Sequence, residues 1–334
     1  MIPNVCDYDK GGIVDLLLRE EYGYLPPMAD SVRAELIERD KKFCAGKADL
    51  EIYKLICDCP FGEFSFPVRV AIPKAQRPVP AFVHINFRPD VPDRYQPTEE
   101  IIDAGYAVLS FCYKEVTSDD GDFTNGLAGL VYPDGKRGPD DCGKLGLWAW
   151  AAMQVLDWAL TLGEIDPKRI SVAGHSRLGK TALLAGMLDE SFCCAFSNDS
   201  GCSGASIARG NDGETVKKIV DRFPYWFCEN YYKYADNEDT MPFDQHFLVA
   251  ANYPHRVYVA SAEEDAWACP KNEFLACTLA SEFYKKQGRE GFPAADMPEC
   301  GKPITGGDIG YHVRKGTHYQ SREDWDYYIK FLES

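Results

Sequence analysis

The residues with the clearest chemical potential lie in RISVAGHSRLGKTALLAG, residues 169–186. A short β-branched run, Ile170 to Val172, ends at Gly174. Ser176 follows, then Arg177, Gly179, Lys180 and a segment of helical character. A serine on a sharp strand-to-helix turn is lifted above a sheet edge, where its hydroxyl can attack a carbonyl. Small residues must flank it, because the strand and helix backbones pass close together. The common pattern is G-x-S-x-G. Here it reads Gly174-His175-Ser176-Arg177-Leu178-Gly179, with the second glycine one place late. A serine capping a surface helix is the plainer alternative, but the strand immediately before Ser176 favours a nucleophile.

A serine hydroxyl is a poor nucleophile at neutral pH and needs a base oriented by a carboxylate. On this kind of turn the chain order is serine, acid, histidine. Six histidines are present. His84 and His312 lie inside strand-like runs, and His246 and His255 precede or open one. His175 adjoins the serine and is expected to point elsewhere on the turn. His318, in KGTHYQSREDW between the last strand and the last helix, is the expected base.

For the acid, YVASAEEDAWACP sets Glu263, Glu264 and Asp265 just past a strand, and Asp265 is favoured as the last acid before an aromatic turn. Asp199, in SNDSGCSG at the end of the preceding strand, is the second candidate; its other role would be to cap or brace the next loop. The oxyanion would be met by the backbone N–H of Arg177 and a donor from residues 86–90. Arg177 and Lys180 place two positive charges within a helical turn of the serine. Facing a pocket, they would favour a substrate with negative charge or many hydroxyls.

These groups need a scaffold. Strand-like runs occur at 50–58, 64–72, 81–87, 106–113, 169–174, 193–199, 256–262 and 309–315. The first two are joined by the hairpin-like link CPFGE. Helical segments separate the later runs. GLWAWAAMQVLDWALTL (146–162) is apolar on nearly every face and reads as a buried helix. FLACTLASEFYKKQG (274–288) ends in lysines and glycine, a helix stop. An opening hairpin followed by alternating strands and helices predicts a mostly parallel eight-stranded sheet covered on both faces, the α/β-hydrolase architecture. The expected organisation is one domain over 1–334. Turn-rich insertions near 114–145 and 203–245 are expected to shape the pocket.

Composition narrows the partners. The net charge is −16 with scattered basic residues, so a nucleic-acid partner is not expected. No run of about eighteen apolar residues predicts a membrane span. The thirteen cysteines are odd in number and lack framework spacing. They read as reduced, buried thiols, and with no export signal evident at the N-terminus they predict a cytoplasmic protein. No His/Cys cluster has metal-ligand spacing, so neither metal nor cofactor is expected.

At these residues the chain resembles the glucuronoyl esterase family, carbohydrate esterase family 15. The family's elbow has the form G-C-S-R-x-G-K; here it is G-H-S-R-L-G-K. LWAWAAMQVLDWAL resembles the family's Ala-Trp-rich helix before the elbow, and AGMLDESF the segment after it. DSGCSGASIARG resembles its glycine-rich run closed by arginine, and YWFCENYYKY with MPFDQHFLVA its W-F…P-[FY]-D-x-H run. The likeness covers roughly residues 100–334. It implies Ser176 as nucleophile, His318 as base, Arg177 as the oxyanion-hole arginine, and Lys180 and Trp267 as residues that hold a uronic acid sugar. It also implies two alternative acid positions, which fall on Asp199 and Asp265. His175 departs from the pattern, and no residue in 215–230 matches the family's remaining sugar contacts.

The expected activity is therefore cofactor-independent hydrolysis of a carbohydrate ester, first of all a 4-O-methyl-glucuronoyl ester of hemicellulose. An acetyl esterase acting on sugars is the second enzymatic reading. A catalytically silent sugar-binding homologue is the non-enzymatic one, and a peptidase is a weaker rival.

Overall fold

A computed structural model describes residues 1–334. Nine strands form one sheet: β1 (Ser31–Asp40), β2 (Ala48–Cys59), β3 (Gly62–Pro73), β4 (Val79–Asn86), β5 (Ala107–Cys112), β6 (Ile165–His175), β7 (Cys194–Asn198), β8 (Arg256–Ala262) and β9 (Ile309–Arg314). Their order is β1-β2-β3-β5-β4-β6-β7-β8-β9. β1, β2, β3 and β5 pair antiparallel, and all the remaining pairs are parallel. This is the α/β-hydrolase arrangement.

The eight strands expected from the sequence are β2 to β9. β1 is an addition. SVRAELIERD carries five charged residues and is largely exposed along its length, so no buried face marks it as a strand. It is an edge strand, and its charges and a register shift between Leu36 and Glu38 blunt that edge against further pairing.

The strands bury both faces, and the two sides alternate along the chain. Val83, Ile85, Val257 and Val259 join a cluster of 79 buried residues with helices Lys144–Ala159, Arg177–Leu188 and Pro270–Lys286. Phe82, Tyr258 and Ala260 turn the other way, into a smaller cluster with Trp325, Tyr328 and Phe331 of helix Arg322–Glu333. In helix Lys144–Ala159 every residue but Asp157 is buried, as its all-round apolar character requires.

This layering sends the carboxyl ends of β6, β7, β8 and β9 to one edge. Ser176, Asp199, Asp265 and His318 each lie just past one of those ends. The segments 114–145 and 203–245 reach the same edge through Asp119 and through Glu214, Arg222, Phe223 and Trp226. No helix is long and apolar enough to cross a membrane. All thirteen cysteines are free.

Candidate active site

Ser176 occupies the elbow between β6 and helix Arg177–Leu188 with φ 58° and ψ −126°, a conformation costly for a residue with a side chain, on the order of 1–3 kcal/mol. Its N–H donates to Asn198 O on β7 at 2.8 Å, which ties the turn to the next strand. The flanking glycines follow from packing. A Cβ on Gly174 would lie 2.1 Å from Leu178 O, and one on Gly179 would press at 3.1 Å on Ser197 Oγ and Ser200 Cβ. The late second glycine is where the helix passes β7.

His318 Nδ1 lies 2.6 Å from Asp265 Oδ2. The Asp265 carboxylate also accepts the Ala268 N–H at 3.2 Å. Burial pushes the Asp265 carboxyl up, but the His318 hydrogen bond and charge, with the Ala268 N–H, hold it below its ordinary value. An ionised Asp265 favours the proton on Nδ1, which would leave Nε2 of the ring free to accept one. Ser176 and His318 line one cavity of about 160 Å³. No hydrogen bond joins the Ser176 hydroxyl to the ring, a contact of the kind that tightens when substrate binds.

Asp199 is brought to the same place but not to the same partner. Asp199, Asp265 and His318 have ligand-type atoms within 4.8 Å of one another. The Asp199 Oδ2 accepts the Tyr319 N–H at 3.2 Å and faces Arg314 Nη2 at 3.5 Å, while Oδ1 is buried without a partner. Burial, reinforced by Glu273, Asp324 and Asp265, pushes its carboxyl well above the ordinary value. Arg314 also donates to the carbonyls of Lys315 at 3.0 Å, Thr317 at 3.2 Å and Tyr319. Asp324, bonded to Arg314 and to His312, anchors that arginine from below. This buried network shapes the loop that presents His318, and nothing in the sequence pattern announced it.

Three expectations are corrected here. His175 does not point away from the site. Its ring centroid lies 4.5 Å from that of His318, and its Nδ1 lies 2.5 Å from Asn198 Oδ1. Burial and the nearby His318 charge lower its pKa to about 3, so it stands beside His318 as a neutral ring. Secondly, within residues 86–90 the Phe87 N–H is not free to meet an oxyanion, since it is committed to Asn86 Oδ1 at 2.8 Å. The backbone N–H of Arg177 lies at the unpaired start of its helix, where it could meet an oxyanion.

Thirdly, the two cations are not free charges. Arg177 Nη1 donates to Asp119. Lys180 is buried, and its ammonium donates to Ser200 O at 2.5 Å, to Cys202 O and to Glu214 Oε2 at 2.8 Å. Trp267, 42% exposed, donates from Nε1 to Glu214 Oε1 at 3.0 Å. Lys180, Glu214 and Trp267 thus form one polar wall of the cavity. Glu214 was missed in the sequence. It reaches the wall because Gly213 permits a close approach to the 266–267 backbone, where a Cβ would meet Ala266 O at 2.3 Å. Its only sequence signal is an acid in the glycine-flanked run just before helix Val216–Arg222.

Comparisons with known proteins point to one family. The family model described as glucuronyl esterase, fungi, matches residues 62–288. A carbohydrate esterase from an unknown prokaryotic organism is 40% identical over 237 residues, 70% of this chain and 55% of the relative. A 4-O-methyl-glucuronoyl methylesterase of Podospora anserina is 29% identical over 269 residues, 76% of this chain and 51% of the relative. The matches to these relatives span about half of their length. Among solved structures, a glucuronoyl esterase from Solibacter usitatus superposes with a TM-score of 0.92 at 30% identity, covering 100% of this chain and 97% of that one. With the family model matching more than half of its length and an elbow of the form G-H-S-R-L-G-K, the chain belongs to the glucuronoyl esterase family.

Proposed function

We propose that this protein is a serine carboxylester hydrolase acting on an ester of a uronic acid sugar, with 4-O-methyl-glucuronoyl esters of hemicellulose the preferred form. The observation that carries the reading is the joint placement of Ser176, His318 and the Lys180–Glu214–Trp267 wall on one cavity, with Asp265 on the far nitrogen of His318. Ser176 Oγ attacks the ester carbonyl while His318 Nε2 takes its proton. The oxyanion is met by the Arg177 N–H and the adjoining guanidinium. The C–O bond to the alcohol then breaks as His318 returns the proton to the leaving oxygen. Water, deprotonated by His318, attacks the acyl-enzyme and releases the uronate with Ser176 restored.

The paired cations suit this substrate. A uronate ester is neutral until it is cleaved, so the cavity needs oriented donors and acceptors for hydroxyls rather than net positive charge. In a uronate ester the sugar lies on the acyl side, in the walled cavity. In an acetylated sugar the acyl group is a single acetyl, which leaves most of about 160 Å³ unfilled. The acetyl reading is kept because a solved relative at 28% identity is described as a promiscuous esterase from a marine bacterial metagenome. Hydrolysis of a methyl glucuronate ester compared with an acetylated glucoside separates the two. The expected outcome is a kcat/KM at least about a hundredfold higher for the uronate ester. The opposite preference assigns the protein to the acetyl esterases, and no turnover of either ester supports a silent sugar-binding homologue.

A further inference from the structure

We propose that Asp119 is a positioning residue for this reaction: its carboxylate aims the Arg177 guanidinium at the reacting carbonyl and offsets its charge. The proposal rests on the esterase reading above. Asp119 lies in the 114–145 insertion, 58 residues from Arg177, with its side chain only 7% exposed. Its Oδ2 accepts from Arg177 Nη1 and from the Tyr113 hydroxyl at 2.8 Å, and its Oδ1 accepts from Trp226 Nε1 at 2.8 Å. The Tyr225 hydroxyl donates to the Asp119 carbonyl at 3.1 Å. A carboxylate held by three side-chain donors, with its backbone held as well, has one position to offer.

The guanidinium is confined on its faces as well as its end. Its Cζ lies 4.6 Å from the Trp226 ring centroid and 5.2 Å from that of Phe223. Those two rings are themselves stacked, with centroids 3.9 Å apart and planes 5° from parallel. Phe87 approaches at 5.8 Å. Arg177 still keeps 23% of its side chain exposed, and it lines the cavity of Ser176 and His318. The two insertions therefore meet at Arg177. One supplies the counter-charge and the other the aromatic bed, and part of the guanidinium still faces the cavity.

The counter-charge has a chemical consequence. The reaction converts a neutral ester into a carboxylate beside this arginine. An unpaired guanidinium would grip that product in a charge-assisted bidentate bond more firmly than it grips the ester. Paired with Asp119, it offers an oriented donor to the transient oxyanion with less net attraction for the product. Removing the charge at Asp119 should therefore slow acylation and at the same time tighten binding of free glucuronate. A residue that served only to hold the fold would give the first change without the second.

The test pairs two readouts. The first is labelling of Ser176 by a fluorophosphonate, which uses the nucleophile, base and oxyanion donors but no sugar. The second is inhibition of labelling by free glucuronate, with thermal midpoints followed in parallel. Asp119→Asn should slow labelling by about tenfold and lower the inhibition constant for glucuronate several-fold. On an Arg177→Ala background, Asp119→Asn should change neither. If Asp119→Asn fails to fold, Asp119→Glu serves: it keeps the charge but displaces the guanidinium, so labelling slows and glucuronate binding stays at the wild-type value. Labelling by the folded Asn variant, or by the Glu variant, within about twofold of wild type would overturn the proposal, as would losses that multiply in the Arg177→Ala/Asp119→Asn double variant. Failure of the substrate reading looks different: the wild-type protein labels normally but does not hydrolyse a methyl glucuronate ester, and the labelling comparison still decides the role of Asp119.

Discussion

Two aspartates stand beside the same imidazole, and their surroundings set them to opposite tasks. Asp265 touches His318 Nδ1 at 2.6 Å, and that contact outweighs its burial and holds its carboxyl low. Asp199 is buried more completely, its Oδ2 turns to Arg314 and the Tyr319 N–H, and three other acids nearby help to push its carboxyl up. One is a charged partner for His318, and the other braces the loop that carries it. Both follow parallel strands, β7 and β8, so position in the chain does not separate them. Their partners do.

That contrast breaks most readily at Asp265. Asp265→Asn should lower kcat by about a thousandfold, because the amide fixes the wrong tautomer and cannot stabilise the imidazolium. Steady-state kinetics on one ester, with KM measured alongside, checks it; a loss under about tenfold would hand the role to Asp199.

The next effect should be in stability rather than rate. Lys180→Met strips the ammonium from Ser200 O, Cys202 O and Glu214 and leaves a buried carboxylate without its cation. A loss of about 3 kcal/mol is expected in urea unfolding. An unchanged denaturation midpoint would mean that Lys180 is a substrate contact before it is a strut.

Asp199→Asn should be milder in catalysis, about tenfold at most, since the amide oxygen can still accept the Tyr319 N–H. If the single variants were both mild and the double variant severe, the two acids would share one role and the contrast would fail.

The smallest effect is in the pH dependence of stability, where the two acids should bend the curve in opposite directions. Asp199 has a raised carboxyl, so its contribution is full below its unfolded value and is lost as pH rises through the folded one. Glu273, pushed up to about 7 from 4.5 by burial, adds to the same loss. Asp265 has a depressed carboxyl. Its contribution is present above 3.8 and is lost as pH falls through the folded value. Thermal midpoints across pH should therefore show Asp199→Asn flattening the decline on the neutral side and Asp265→Asn flattening it on the acid side. The reverse assignment would contradict the protonation states described here.

Much of this was legible in the residues because local pattern and tertiary role coincide there. The Ser176 elbow is a strand, a turn and a helix in one continuous stretch, and its glycines are demanded by contacts within or just beside it. His318 and Asp265, which the structure brings into contact, could be singled out because both follow recognisable strands. What escaped notice depends on distant approach. Glu214 matters only because the 213–214 backbone packs on Ala266 and Trp267. Asp119 sits in a run of turn-forming acids where nothing distinguishes it from Asp120 or Asp122 until Arg177 arrives from another element. The pairing of Arg177 and Lys180 escaped notice for the same reason, since their carboxylate partners lie 58 and 34 residues away. β1 was invisible for a different reason: an exposed edge strand has no buried face to print a period on its sequence.

The central claim is that Ser176 attacks the carbonyl of a uronate ester. The most direct measurement is kcat of Ser176→Ala on a methyl glucuronate ester, with the thermal midpoint taken on the same preparation. A loss of about a thousandfold or more is expected with an unchanged midpoint, since only a hydroxyl has been removed from the elbow. Activity within about tenfold of the wild-type protein would contradict it.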